Sequence, residues 1–173
     1  MIITNIEQQK NNQERYSIYI DGVFEVGVHQ EIIIELGLYK NQDITKQQLE
    51  QIKTLENQHK VMDKALNYLS YGLRSVQEMR LYLQKQSFDV NDKEAIIDHY
   101  IQRLSHMGYL NDLEYAKSYV RTAASLHAKG PQLIQQELVT KGVNPLTILD
   151  GLEEYSIEQQ LSLIHISEPT RLL

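Results

Sequence analysis

The sequence predicts a mainly α protein: tandem three-helix repeats in an elongated stack, preceded by a small α+β appendage that contains a β-hairpin. Three observations carry this reading. The stretch Lys129–Val143 is a short helix with both ends written into it. Pro131 suits the first helical position, where a missing N–H costs nothing, and Gly142 suits the left-handed residue just past the end. A second copy lies upstream at a constant offset of 55 positions (130 − 75), with Ser75 on Gly130, Val76 on Pro131, Met79 on Ile134 and Leu83 on Leu138. The third observation is Asp21-Gly22 between two β-rich runs, a strong signal for a type I′ hairpin turn.

In chain order, residues 1–44 form the appendage. Arg15–Ile20 and Val23–Val28 are the hairpin strands, and Glu31–Leu36 supplies a covering helix that stops at Gly37. The first three-helix repeat, with its leading helix, occupies 45–108. Thr45 and Gln48 make a capping box, in which each side chain satisfies an N–H left free at the helix start. The helix they open carries Leu49, Ile52 and Leu55, then Val61, Ala65, Leu66 and Leu69 before Gly72, and pattern alone leaves its continuity open. Ser75 with Glu78 caps the middle helix, Val76 to Lys85. Asn91 with Glu94 opens the third, whose stripe is Ile96, Ile97, Tyr100, Ile101 and Leu104, ended by Gly108.

The second repeat spans 109–156. Asn111 and Glu114 start a helix with an inward stripe of Tyr115, Ala116, Tyr119, Val120 and Ala123. The middle helix buries Leu133, Ile134 and Leu138, and Asn144-Pro145 begins a third with Ile148, Leu149 and Leu152 facing inward. Residues 157–173 read as the start of a lost third repeat, followed by an artefactual tail. Leu161–Arg171 has no helical continuation in its pattern and resembles the translated read-through of a sequencing adapter. With Pro169 and no periodic stripe, residues 161–173 are expected to be disordered.

No apolar run exceeds three residues, as in Ile32-Ile33-Ile34, and the N-terminus has no signal sequence, so the reading places the chain in the cytoplasm. The absence of cysteine excludes disulfides and thiol chemistry. A formal net charge of −6 argues against holding bare nucleic acid by bulk electrostatics, which needs a basic face. Only the first repeat is slightly basic, with 7 Lys+Arg against 6 Asp+Glu over residues 60–109.

No constellation for catalysis, metal or cofactor is read from the residues. His99 and His106 lie seven apart on one helix, whereas a ligand pair sits three or four apart, so they read as structural. Asp89, Asp92 and Glu94 read as caps and helix-dipole partners. Gly130-Pro131 lacks the further glycines and Lys-Ser/Thr of a phosphate loop. Tyr68, Tyr100, Tyr115 and Tyr119 read as core with their hydroxyls at the rim, while Tyr71, Tyr82 and Tyr109 are candidate stacking or partner contacts. Arg74 and Lys129, at equivalent helix entrances, are the candidate anion contacts because each precedes an N-terminus with free N–H groups.

Ala65-Leu66-Asn67-Tyr68-Leu69-Ser70, Arg74-Ser75 with Glu78 and Leu83, Gly108-Tyr109-Leu110-Asn111-Asp112 with Tyr115-Ala116, and Lys129-Gly130-Pro131 with Glu137-Leu138 and Lys141-Gly142 together resemble the RecX family of recombination regulators. The resemblance covers about residues 1–160. It implies modular three-helix repeats, at least three in most members, that bind the RecA recombinase filament on single-stranded DNA and restrain it without catalysing a reaction. A monomer laying Arg74, Arg80, Lys85, Arg121, Lys129 and Lys141 along the filament groove is the expectation. The alternative is a helical nucleic-acid-binding module of helix-turn-helix type, against which the acidic total weighs.

Overall fold

A computed structural model describes residues 1–88, 92–127 and 129–167, with side chains as far as residue 157. Among them are three strands and seven helices, in the order β1 (Ile3–Gln9), β2 (Asn12–Ile20), β3 (Val23–His29), α1 (Gln30–Leu36), α2 (Lys46–Ser70), α3 (Val76–Lys85), α4 (Lys93–His106), α5 (Asp112–Ser125), α6 (Pro131–Thr140) and α7 (Pro145–Ser167). They divide into two compact units, Met1–Lys64 with Ser87–Ile96, and Ala65–Gln86 with Ile97–Leu173.

The first unit is built on an antiparallel sheet of order β1-β2-β3. Asp21 and Gly22 both have positive φ, 49° and 86°, as the type I′ turn between β2 and β3 demands. The hairpin expectation therefore holds, but β1 was not foreseen. Its sequence, Ile-Thr-Asn-Ile-Glu-Gln-Gln, is too polar to read as a strand, and pairing with β2 in the register Ile3↔Ile20 and Ile6↔Ile18 is what makes it one. Ile3, Ile18, Ile20 and Val28 of the sheet pack with Ile32 of α1 and with Ile44, Leu49 and Ile52. Gly37, at φ 57°, ends α1 in the left-handed conformation and donates its N–H back to Ile34.

A carboxylate sits inside this unit. Glu56 of α2 is 1% exposed, and its Oε1 accepts from Arg15 Nη2 at 2.6 Å while its Oε2 accepts from the His29 backbone N–H at 3.0 Å. Arg15 also donates to the Gly27 carbonyl at 3.2 Å. One side chain of α2 thus satisfies groups on both hairpin strands, and the buried charge is tolerable because every partner is present.

Helix α2 is continuous from Lys46 to Ser70, which settles the question that periodicity left open. Its start is the expected box: Thr45 Oγ1 accepts from Gln48 N at 3.2 Å and Gln48 Oε1 accepts from Thr45 N at 2.8 Å. Leu66, expected on the buried stripe, is exposed, because Ala65 and Leu69 already occupy the inward side. Helix α4 is capped by Asp92, whose Oδ1 accepts from Ala95 N at 3.0 Å. Asp89 and Asn91, the latter the expected cap, lie outside the described residues. Ile97, Tyr100, Ile101 and Leu104 are buried on α4 as expected, and burial raises the Tyr100 hydroxyl pKa.

The second repeat packs α5 on α7 around Tyr115, Ala116, Val120, Ala123, Ile134, Leu138, Val143 and Ile148. Gly151 marks the closest approach, since a Cβ there would stand 2.8 Å from Ala116 Cβ. Two stripe assignments need correcting. Leu133 is 47% exposed and Leu149 56%, because Ile134 with Leu138 and Ile148 with Leu152 already define the inward lines of α6 and α7. The pattern of Leu161–Arg171 offers no helical continuation, yet α7 runs unbroken to Ser167, as nothing between Gly151 and Pro169 stops a helix. Residues 168–173, the remainder of the expected disordered tail, lie outside the described residues.

Replacing Glu56 by Ala strands Arg15 and the His29 N–H in the interior and should cost about 3 kcal/mol in chemical denaturation. A paired Arg15→Met, Glu56→Met variant should recover most of it. A loss under about 1 kcal/mol in the single variant would show the pair to be idle.

Candidate functional site

The candidate site is the joint where the middle helices of the two repeats meet, wholly within the second unit. It begins with the α3 cap. Ser75 Oγ accepts from Glu78 N at 3.0 Å, and Glu78 Oε2 accepts from Ser75 N at 3.2 Å. The same hydroxyl donates to the Lys141 carbonyl at 2.7 Å, and Lys141 Nζ donates to Glu78 Oε1 at 2.8 Å. Lys141 follows the last residue of α6, so a carbonyl left over at one helix end is satisfied by the residue that starts another. Asp112 of α5 completes the cap, its Oδ1 accepting from Val76 N at 2.8 Å.

Glycine is required where the backbones touch. Gly142 has φ 76°, and a Cβ on it would collide with the Gln77 side chain. Neither constraint alone would leave so little room for substitution.

Electrostatics follow the hydrogen bonds. Burial works against the Glu78 carboxylate, but hydrogen bonds from Lys141 and the Ser75 backbone outweigh it and hold its pKa below 4.5. Burial and the neighbouring Glu78 charge push the Tyr115 hydroxyl well above its ordinary value. Beside them, Tyr119 donates to Glu137 Oε2 at 2.7 Å, and burial with that bond pushes its hydroxyl up to about 12. Lys129 Nζ donates to Glu137 Oε1 at 2.6 Å, which with the Tyr119 bond lowers the Glu137 pKa. The Lys141 ammonium lies 5.5 Å from the Tyr119 ring centre.

These distances place the six expected contact cations. Lys129 and Lys141 are half-buried and pair with Glu137 and Glu78. Arg80 meets Asp98 at 2.5 Å, and Arg121 meets Glu154 at 3.3 Å. The Arg74 guanidinium lies 4.4 Å from the Tyr68 ring centre, and Tyr68 stacks on Tyr82 at 4.0 Å. Lys85 alone of the six is exposed with no ion partner among the described residues. Lys129 and Lys141 come together around Glu137, Glu78 and Tyr119, and the Arg74 charge acts on the neighbouring Tyr115.

The expected free N–H groups at the two helix entrances are not both available. Asp112 already occupies Val76 N–H, and Pro131 has none to offer. Arg74 turns back over Tyr68 of α2, which stacks on Tyr82 of α3, while Lys129 reaches Glu137 of its own middle helix. Among the tyrosines, Tyr100 and Tyr115 are buried, Tyr71 and Tyr109 are exposed, and Tyr82 has one face taken by Tyr68. Sequence reasoning missed Asp112 and Glu137 as partners; their only signal was the spacing of opposite charges around Lys129 and α3.

A second cluster lies in the first unit. His29 and His59 stack at 5.3 Å with an interplanar angle of 8°, and one ligand-type atom from each of His29, Glu31 and His59 lies within 4.8 Å of the other two. It is the only such group of three among the described residues. No helix among them is long and apolar enough to cross a membrane.

Residues 1–45 match the model of the regulatory protein RecX N-terminal domain, 62–104 that of the RecX first three-helix domain, and 111–152 that of the second. The regulatory protein RecX of Listeria monocytogenes serotype 4a (strain HCC23) is 39% identical over 161 residues, covering 93% of this chain and 58% of that protein. That of Halalkalibacterium halodurans is 38% identical over 167 residues, covering 94% and 61%. This chain therefore spans about three-fifths of the length of these relatives. A crystal structure of regulatory protein RecX superposes with a TM-score of 0.70 at 29% identity, covering 98% of this chain and 86% of the other. RecX from Lactobacillus salivarius gives 0.52 at 28% identity, covering 68% and 80%.

Two outcomes test the joint. Gly142→Ala should lower the thermal midpoint more than Gly22→Ala, which meets the same φ penalty with open space around it; equal losses would remove the close approach. Because the folded-state pKa of Glu78 is depressed, its contribution is present above about pH 4.5 and fades as acid protonates it. The parent's melting point should therefore fall more steeply below that pH than that of Glu78→Gln. Parallel acid profiles would mean that Lys141 and Glu78 are not coupled.

Proposed function

This chain belongs to the RecX family, and on that premise we propose that it is a non-enzymatic regulator that binds RecA filaments assembled on single-stranded DNA and restrains them. The observation that carries the reading is the ordered match of an N-terminal domain and two three-helix domains to one family of regulatory proteins. The charge arrangement supports a protein-coated target over bare DNA. Four of the six candidate cations are held by carboxylates of the chain itself, and the formal net charge is −6. Little positive charge remains to release counterions from naked strands.

Arg74, Arg80, Lys85, Arg121, Lys129 and Lys141 are the proposed contact residues, with RecA and the DNA within the filament as partners. Lys85 leads, since among the described residues no carboxylate holds it. Arg80, Arg121, Lys129 and Lys141 each exchange a carboxylate partner for an external one, which keeps their contribution small. The protein acts as a monomer in the cytoplasm.

Binding should be compared for RecA-coated single-stranded DNA, the same DNA bare, and RecA alone, with the first the tightest. Equal or tighter binding to bare DNA would replace this reading with that of a helix-turn-helix nucleic-acid module. Lys85→Glu should weaken filament binding about five-fold, roughly 1 kcal/mol, and leave stability within about ±0.5 kcal/mol. Lys129→Glu sets a carboxylate against Glu137 and should lower stability as well.

A further inference from the structure

We propose that His29, Glu31 and His59 form a binding site for a divalent transition metal of the zinc class, with Glu14 beside it. The residues come from four elements of the first unit. His29 ends β3, Glu31 stands in the first turn of α1, His59 lies on α2 and Glu14 on β2. His29 Nε2 lies 3.6 Å from Glu14 Oε2, and His59 Nε2 lies 3.8 Å from Glu31 Oε2. Two imidazoles and a carboxylate are a donor set that zinc takes, and a second carboxylate or water completes four-coordination.

The geometry is close to what an ion requires. Bonds of about 2.0–2.1 Å in a tetrahedron hold ligand atoms about 3.3 Å apart. The present separations, up to 4.8 Å, call for a contraction of about 1.5 Å. Glu31 is exposed and free to swing inward, and the half-buried histidines can turn out of their parallel stack. His29 Nδ1 accepts from Glu31 N across 3.4 Å, a long bond. Coordination through Nε2 moves the imidazole proton to Nδ1 and releases that weak cap.

The same positions explain what the ion would do. His29 is one residue past Val28 of the core, and its backbone N–H is held by Glu56 of α2. A metal joining His29 and His59 would add a further tie between hairpin and α2 beside the Arg15–Glu56 and Lys53–Glu25 pairs. It would tighten the first unit without touching the repeat joint.

The test is a zinc titration of the full chain without a polyhistidine tag, at neutral pH, followed by calorimetry and thermal melting. One ion should bind per chain and raise the melting point. Replacing His29 or His59 by Gln should each weaken binding at least ten-fold, while His99→Gln changes nothing. Glu31→Gln, at an exposed position, guards against loss of fold and should also weaken binding. Absence of zinc binding, or binding that survives in His29→Gln, His59→Gln and Glu31→Gln alike, overturns the site.

Discussion

The Ser75 hydroxyl is the point on which the repeat structure depends. It accepts from Glu78 N and donates to the Lys141 carbonyl, so one buried atom closes the start of α3 and the end of α6 together. A fully buried hydroxyl is costly without partners, and here both its donor and acceptor roles are filled. Lys141 then anchors twice, through its carbonyl and through its ammonium to Glu78. The capping box, a local device in most helices, becomes the joint between modules.

Glu56 plays the corresponding part in the first unit by different means. Apolar packing of the sheet on α1 and α2 sets no unique register by itself, whereas a carboxylate that must meet Arg15 and the His29 N–H has one acceptable position. The physical contrast is between a joint centred on a neutral hydroxyl, which recycles a leftover backbone carbonyl and is flanked by the Lys141–Glu78 pair, and one centred on a buried charge. Each unit contains one residue whose burial makes sense only with its partners in place.

The parts of the fold legible in the sequence were those decided within a few residues. Thr45 with Gln48, Ser75 with Glu78, Pro131 and Gly142 fix helix ends by local bonding or by φ, and Asp21-Gly22 fixes the hairpin in the same way. What was not legible depends on distant partners. Strand β1 exists through β2, and the exposure of Leu66, Leu133 and Leu149 is decided by neighbouring inward residues. The candidate site was half legible for the same reason. Lys129 and Arg74 were found as helix entrances, but Asp112 and Glu137 occupy what sequence alone leaves open.

The α3 cap has a consequence for the order of events during synthesis. Val76 N–H waits for Asp112, 36 residues later, and Ser75 Oγ waits for Lys141, 66 residues later. A ribosome that has released the first repeat has therefore released a module whose middle helix still lacks two of its bonds. The Pro131 start of α6 has one fewer N–H to satisfy. Translation thus runs from the module that needs a successor toward one whose start asks for less, and the first repeat finishes folding on a clock set by the second.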